Sequence, residues 1–487
     1  MRRFFLAKLL LIVFLLGCIS RAVSSTPPGA KAASEELAQQ GQKNQPRGQK
    51  ATTVQLPTFG ISVDAEGVLE FKTYEDPTGQ LHMQRLLAAQ AALQQDVLKE
   101  SPLRLVSLRK LEAAIQAKLD AGQPPTDEML NLAGLQRVQF AFCYPDENDI
   151  VIAGAAEGWM LDLADRPIGV NSRRPTVRLE HLVTALRTFP PGGQAPQMVG
   201  CSIGPTQDGL KALSNFQAQI PARIRPEQEA AVGAWVYQGM RDALGLANIS
   251  VYGVPKTSHF GQVLVEADYR MKMIGVGLEP PGIKMNSYAD LVSGARHGVL
   301  QRWWFYPNYE MARVTQDRLA LELVGQGVML SSEDMQFDKT GRLKGGTTGR
   351  SASERFTNGF TSKYEELADV KPVFAQLRNL IDLTIAAAYL QRAGFYEKSN
   401  WQPTTLADEN KIAIENQHAP RKVPVAANAL WKKHRLFCMA GGGVSIQPEI
   451  ALDQEHLLSD DDGALDSRRH ALMAWLDDDA ERWWWDP

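Results

Sequence analysis

Cysteine is scarce in this chain: four residues in 487, at Cys18, Cys143, Cys201 and Cys438. An odd set in the mature chain excludes a disulfide framework and leaves room for one bridge, between Cys143 and Cys201, whose alternative is a pair of small buried thiols. Histidine is also sparse, with eight residues and neither H-E-x-x-H nor C-x-x-C, so no metal-ligand set presents itself and no cofactor is expected. There is no excess of positive charge either: 52 Lys and Arg stand against 55 Asp and Glu, for a formal net charge of −3. That balance excludes the electropositive surface a nucleic-acid binder needs. Past the first 16 residues no apolar run approaches the length of a membrane span.

What is present begins with a leader. Arg2, Arg3 and Lys8 precede an apolar run from Leu9 to Leu16, too short to span a bilayer and of the length of a signal-peptide core. Export to the periplasm, cell envelope or extracellular space follows. Two ends of the leader compete: Leu15-Leu16-Gly17-Cys18 resembles a lipobox, making Cys18 a lipid-attachment site, whereas Ala22-Val23-Ser24-Ser25 offers small residues to an ordinary signal peptidase. In the second reading Cys18 is discarded.

After the signal peptide (1–25), residues 26–55 hold almost no large apolar side chains and read as a disordered tether. A β-hairpin plus helices is expected over 56–135, with one helix from about Gln80 to Lys99. A second is expected to start at Ser101-Pro102 and to run through Leu105, Leu108, Ile115 and Leu119 to Gly122. Strands and helices then alternate over 136–300, as in a layered α/β domain. A small β-meander (301–345), a helical pair (350–395), a strand-containing segment (396–450) and an acidic, Trp-rich tail (451–487) complete the chain. The fold class is mixed α/β (α+β), a layered body of sheet and helix.

The stretch VLVEADYRMKMIGVGLEP, residues 263–280, fits two templates. As a strand it would display Glu266, Asp268, Arg270 and Lys272 on one face. As a helix it lines up Leu264, Ala267, Met271, Ile274 and Leu278 on one stripe, with Ser258 as N-cap and a stop at Glu279-Pro280-Pro281-Gly282. Its length favours the helix. Glu266 with Arg270, and Asp268 with Lys272, are then acid-first pairs four residues apart, expected on a solvated face at about 0.2–0.5 kcal/mol each.

Gly200-Cys201-Ser202-Ile203-Gly204 has the form of a hydrolase nucleophile elbow, with Ser202 as nucleophile, His259 or His297 as base and Asp268 or Asp290 as acid. Against that, Pro205-Thr206-Gln207-Asp208 reads as its own helix start, later than an elbow requires, so a glycine-flanked strand end is the preferred reading. Asp460-Asp461-Asp462-Gly463 fails as a calcium loop because Leu458 and Arg469 would occupy ligand positions. Gly441-Gly442-Gly443 and the Gly345-Gly346 loop lack what a phosphate cradle requires. Trp303, Trp304 and Tyr306 are candidates for binding a glycan or an envelope protein, although alternation sends Trp303 and Phe305 to one side and Trp304 and Tyr306 to the other. Trp483-Trp484-Trp485 call for docking onto the body or a partner.

VEADYRMKMIGVGLE, RWWFYPNYE and MAGGGVSIQP together resemble the secreted planctomycete proteins grouped as a domain-of-unknown-function family. The resemblance implies an exported protein and brings no catalytic residue, substrate or cofactor. The expectation is therefore a non-catalytic binding or structural protein, with the Ser202 hydrolase as the alternative.

Overall fold

The computed structural model describes residues 58–221, 224–293, 296–332, 336–337, 343–344, 351–430, 436–476 and 482–487. The signal peptide, the tether, Cys18 and the Gly345-Gly346 loop lie outside them. With 39% helix and 24% strand, neither class dominates and the fold is mixed α/β. Among the described residues no helix is long and apolar enough to cross a membrane.

Two seven-stranded sheets organise the body. The first runs in the order Val328–Ser332, Arg296–Pro307, Leu436–Ile446, Val199–Gly204, Leu246–Tyr252, Lys422–Pro424, and Ala427–Leu430 also pairs with Leu436–Ile446. Arg296–Pro307 and Leu436–Ile446 are parallel; the other pairings in this sheet are antiparallel. The second sheet runs Leu458–Ser459, Ala312–Val314, Ala320–Leu323, Phe140–Tyr144, Asp149–Ala156, Ser101–Ser107, Trp484–Trp485. Strands from residues 301–345 thus enter both sheets.

The triple glycine is a matter of close approach. A Cβ at Gly442, whose φ is +112°, would lie 1.8 Å from the Trp303 carbonyl oxygen, and one at Gly443 would lie 1.9 Å from that of Cys201. Only glycine lets this central strand sit between its two neighbours.

Residues 101–107 correct the sequence reading, since Ser101–Ser107 is a strand and the helix begins only at Leu108, ending at Asp120. The N-cap is Ser107, whose Oγ accepts the Lys110 N–H at 3.0 Å. Ladder pairing with Asp149–Ala156 and burial of Leu105 and Val106 outweigh the helical spacing of Leu105 and Leu108.

The second sheet is apolar on both faces. Ala141, Cys143, Ile150 and Ile152 join the main core, while Leu105, Phe140, Phe142, Tyr144, Val151 and Ala153 form a second cluster with Leu465, Leu472, Leu476 and Trp485. The acidic C-terminal segment therefore covers a sheet face. Its last strand, Trp484–Trp485, pairs with Ser101–Ser107, and buried Arg104 meets the Asp486 carboxylate at 2.8 Å and stacks over Trp484 at 4.5 Å. The three tryptophans dock on the chain's own body, each at most 6% exposed.

The element that positions the candidate site is the helix His259–Gly275. Ser258 caps it as its sequence position suggests, its Oγ accepting the Gly261 N–H at 3.1 Å. The helix packs on the first sheet with one side and on the helices Leu179–Thr188 and Pro372–Arg392 with the other.

Candidate functional site

Ser202 sits in an unbroken strand, paired at Cα level with Gly443 on one side and Ser250 on the other. Its Oγ lies 2.9 Å from the Tyr252 hydroxyl on the adjacent strand. Thr206 caps the helix Gln207–Gln217, accepting the Gly209 N–H at 3.0 Å, so no helix starts directly at the serine. The sharp strand-to-helix turn that makes a serine nucleophilic is missing here. Nor do the other members of the proposed set converge on it: His259 pairs with His181, Asp268 with Lys272, and Asp290 closes a capping box with Ser287. His297 lies in the strand Arg296–Pro307, with its side chain outside the described residues.

The ion pairs of the helix His259–Gly275 are interior, which corrects the expectation of a solvated face. Asp268 and Lys272 are both fully buried and meet at 2.6 Å. Lys272 Nζ also donates to the carbonyls of Ile203 and Gly442, at 3.2 Å each, so all three ammonium protons have acceptors where the central strand is distorted at Gly442. Burial pushes the Asp268 carboxyl up to about 6 and pulls the Lys272 ammonium down, each opposed by attraction to the other. On roughly the opposite side of the same turns Arg270 binds Glu266 at 2.8 Å and Glu279 at 3.2 Å, and Glu279 in turn contacts Lys371. Arg166, paired with Asp162 at 2.8 Å, extends the alternation of sign from Glu266. Four-residue spacing neutralises each charge locally, the condition under which a charged helix can be buried.

Cys201 lies against this pair, its thiol pushed well up by burial, and it is free, as are Cys143 and Cys438. The Cys143–Cys201 bridge does not form. All three are buried thiols packed as small apolar groups.

The aromatic run divides as alternation predicts. Trp303 and Phe305 are fully buried, with Trp303 Nε1 donating to Ser353 Oγ at 2.8 Å, while Trp304 and Tyr306 are half-buried on the opposite face. Elsewhere an open cleft of about 450 Å³ is lined by Phe189, Pro196, Ala388, Arg392, Glu449 and Asp453.

The clearest convergence of titratable groups is at the N-terminal ends of two helices. Leu179–Thr188 supplies Glu180 and His181, and His259–Gly275 supplies His259. His181 Nε2 and His259 Nδ1 are 2.8 Å apart, the rings are parallel within 5°, and their centroids are 5.0 Å apart. That combination places the imidazoles edge to edge, joined by an N–H···N bond, because face-to-face stacking would hold the nitrogens more than about 3.4 Å apart. Glu180 Oε1 lies 3.4 Å from His259 Nδ1. Arg178 reaches Glu180 Oε1 at 2.9 Å and lies 3.4 and 3.5 Å from His259 Nδ1 and Nε2. Burial, reinforced by Arg178 and Arg166, holds His259 down to about 3, and burial with His259 and Arg178 keeps His181 well below its usual range. Both rings are therefore neutral at pH 7. Among the described residues, Glu180, His181 and His259 form a group whose geometry could hold a metal ion, their ligand atoms all lying within 4.8 Å of one another.

Residues 201–288 match the family described as "Protein of unknown function (DUF1598)". No curated protein and no solved structure matches this chain. The DUF1598 segment begins within the strand bearing Ser202 and contains the whole helix with His259, Asp268 and Lys272. Glu180 and His181 lie outside it. No spacing motif could have linked them to His259, 78 residues away; the one sequence trace is an adjacent Glu-His at a helix start.

Proposed function

We propose that this chain is an exported, non-catalytic protein of the cell envelope or extracellular space, with a binding or structural role. The observation that carries the reading is the hydrogen bond between Ser202 and Tyr252, which occupies the hydroxyl with a phenol where a hydrolase requires an imidazole. The half-buried Trp304 and Tyr306 and the open cleft beside Arg392 supply surface for a glycan or an envelope-protein partner. Export rests on the basic and apolar leader.

Labelling of the folded chain with a fluorophosphonate tests the non-catalytic part. No covalent adduct is expected; an adduct abolished by Ser202→Ala establishes the hydrolase instead. Mass analysis of the protein recovered from its producing cells tests the rest: a terminus beyond Cys18, or a lipidated Cys18, fits export, and an intact Met1 leader refutes it.

A further inference from the structure

We infer that Glu180, His181 and His259 form a binding site for a divalent first-row transition ion, of the Zn²⁺ or Cu²⁺ class. The donor set is two imidazole nitrogens and one carboxylate oxygen, the borderline ligands those ions prefer. His181 is 2% exposed and stands behind the site, whereas the side chains of Glu180 and His259 are 17% and 20% exposed, with Glu180 Oε1 itself turned inward toward the cluster.

Tetrahedral coordination with bonds of about 2.0–2.1 Å sets ligand atoms about 3.3 Å apart. The Glu180 to His259 distance of 3.4 Å already matches, and the His181 to His259 distance of 2.8 Å must widen by about half an ångström. The facing nitrogens now share a proton. Loading moves that proton to the far nitrogen of the ring that carries it and turns the partly exposed His259 ring, so that both lone pairs converge on the ion. Glu180 Oε1 has no hydrogen bond of good geometry despite its ion-pair contact with Arg178, so the carboxylate surrenders little directional bonding on taking a metal.

The opposing terms are equally specific. Arg178 lies against both Glu180 and His259, Arg166 adds its field, and both helix N-termini point positive ends at the cluster. The Arg178 side chain is 32% exposed and can swing to solvent, which makes it a guard whose removal strengthens binding.

The experiment uses the full folded chain, free of any polyhistidine tag, titrated by calorimetry with Zn²⁺ alone and with Cu²⁺ alone. One equivalent per chain is expected. His259→Gln and Glu180→Gln should each weaken binding at least tenfold while the metal-free chain keeps its melting temperature within a few degrees, and Arg178→Gln should tighten it severalfold. Binding of neither ion, or stoichiometry and affinity that are the same in His259→Gln and Glu180→Gln, overturns the site. An Arg178→Gln chain that binds no more tightly than the parent overturns the guard role.

Discussion

Two helices invert what their compositions suggest. Gln80–Ala92 carries Leu81, Met83 and Leu87, yet it buries no residue, and those three are 41%, 52% and 58% exposed. His259–Gly275 carries Glu266, Asp268, Arg270 and Lys272, and all four are at most 5% exposed. The difference lies in what surrounds them. Among the described residues the first helix packs lightly, against the short strand Trp159–Leu161 and through Arg85 to Asp162 and Asp165, so Leu81, Met83 and Leu87 stay in water. The second sits between a sheet and two helices, where area burial drives the whole element inward and its charges must neutralise one another in place. Hydrophobicity alone does not decide burial; having a partner does.

Breaking the inner pair should give the largest effect. Lys272→Met leaves the Asp268 carboxylate and the Ile203 and Gly442 carbonyls without their donor, and should cost about 3–5 kcal/mol in urea unfolding. Adding Asp268→Leu should recover much of that loss, because the remaining charge then disappears. A single Lys272→Met chain as stable as the parent would show that the pair is not the constraint described here.

The next effect concerns pH and the start of the same helix. His259 and His181 are held below their ordinary range, so the folded chain binds fewer protons there than the unfolded chain. Their stabilisation is full above about pH 6.5 and is lost as pH falls toward about 3, the value for His259. Asp268, raised to about 6 by burial, acts in the opposite direction: its contribution is present below its ordinary value and fades as pH rises through about 6. The stability of the parent relative to His259→Gln should therefore shrink by up to about 2 kcal/mol between pH 7 and pH 5. Denaturation curves at the two pH values check this, and a difference that grows on acidification contradicts it.

The smallest effect should come from the outer helix. Leu81→Gln with Leu87→Gln should change unfolding free energy by no more than about 0.5 kcal/mol per site. A loss above about 2 kcal/mol would mean that this helix packs on something in solution, and the contrast between the two helices would need redrawing.

Parts of this arrangement are legible in the chain. Leu264, Ala267, Met271 and Ile274 mark the helix, Ser258 marks its start, and Thr206 marks a helix beginning too late for an elbow at Ser202. The alternation in Trp303 to Tyr306 separates a buried face from a half-buried one. Other parts are not legible, for identifiable reasons. Glu266 with Arg270 has the same spacing on a wet surface as in an interior, so the sequence does not report which applies. Ser101-Pro102 mimics a helix start, and only the pairing of Ser101–Ser107 with Asp149–Ala156 makes it a strand.

The sequence by itself determined local matters: where helices cap and which faces of a strand are apolar. Those follow from backbone sterics and side-chain periodicity, which act over a few residues. Tertiary structure alone decided that four charged side chains lie in the core, that the acidic C-terminal segment covers a sheet face, and that Glu180 and His181 meet His259. Burial and convergence depend on elements brought together from distant parts of the chain, and no short-range pattern encodes that distance.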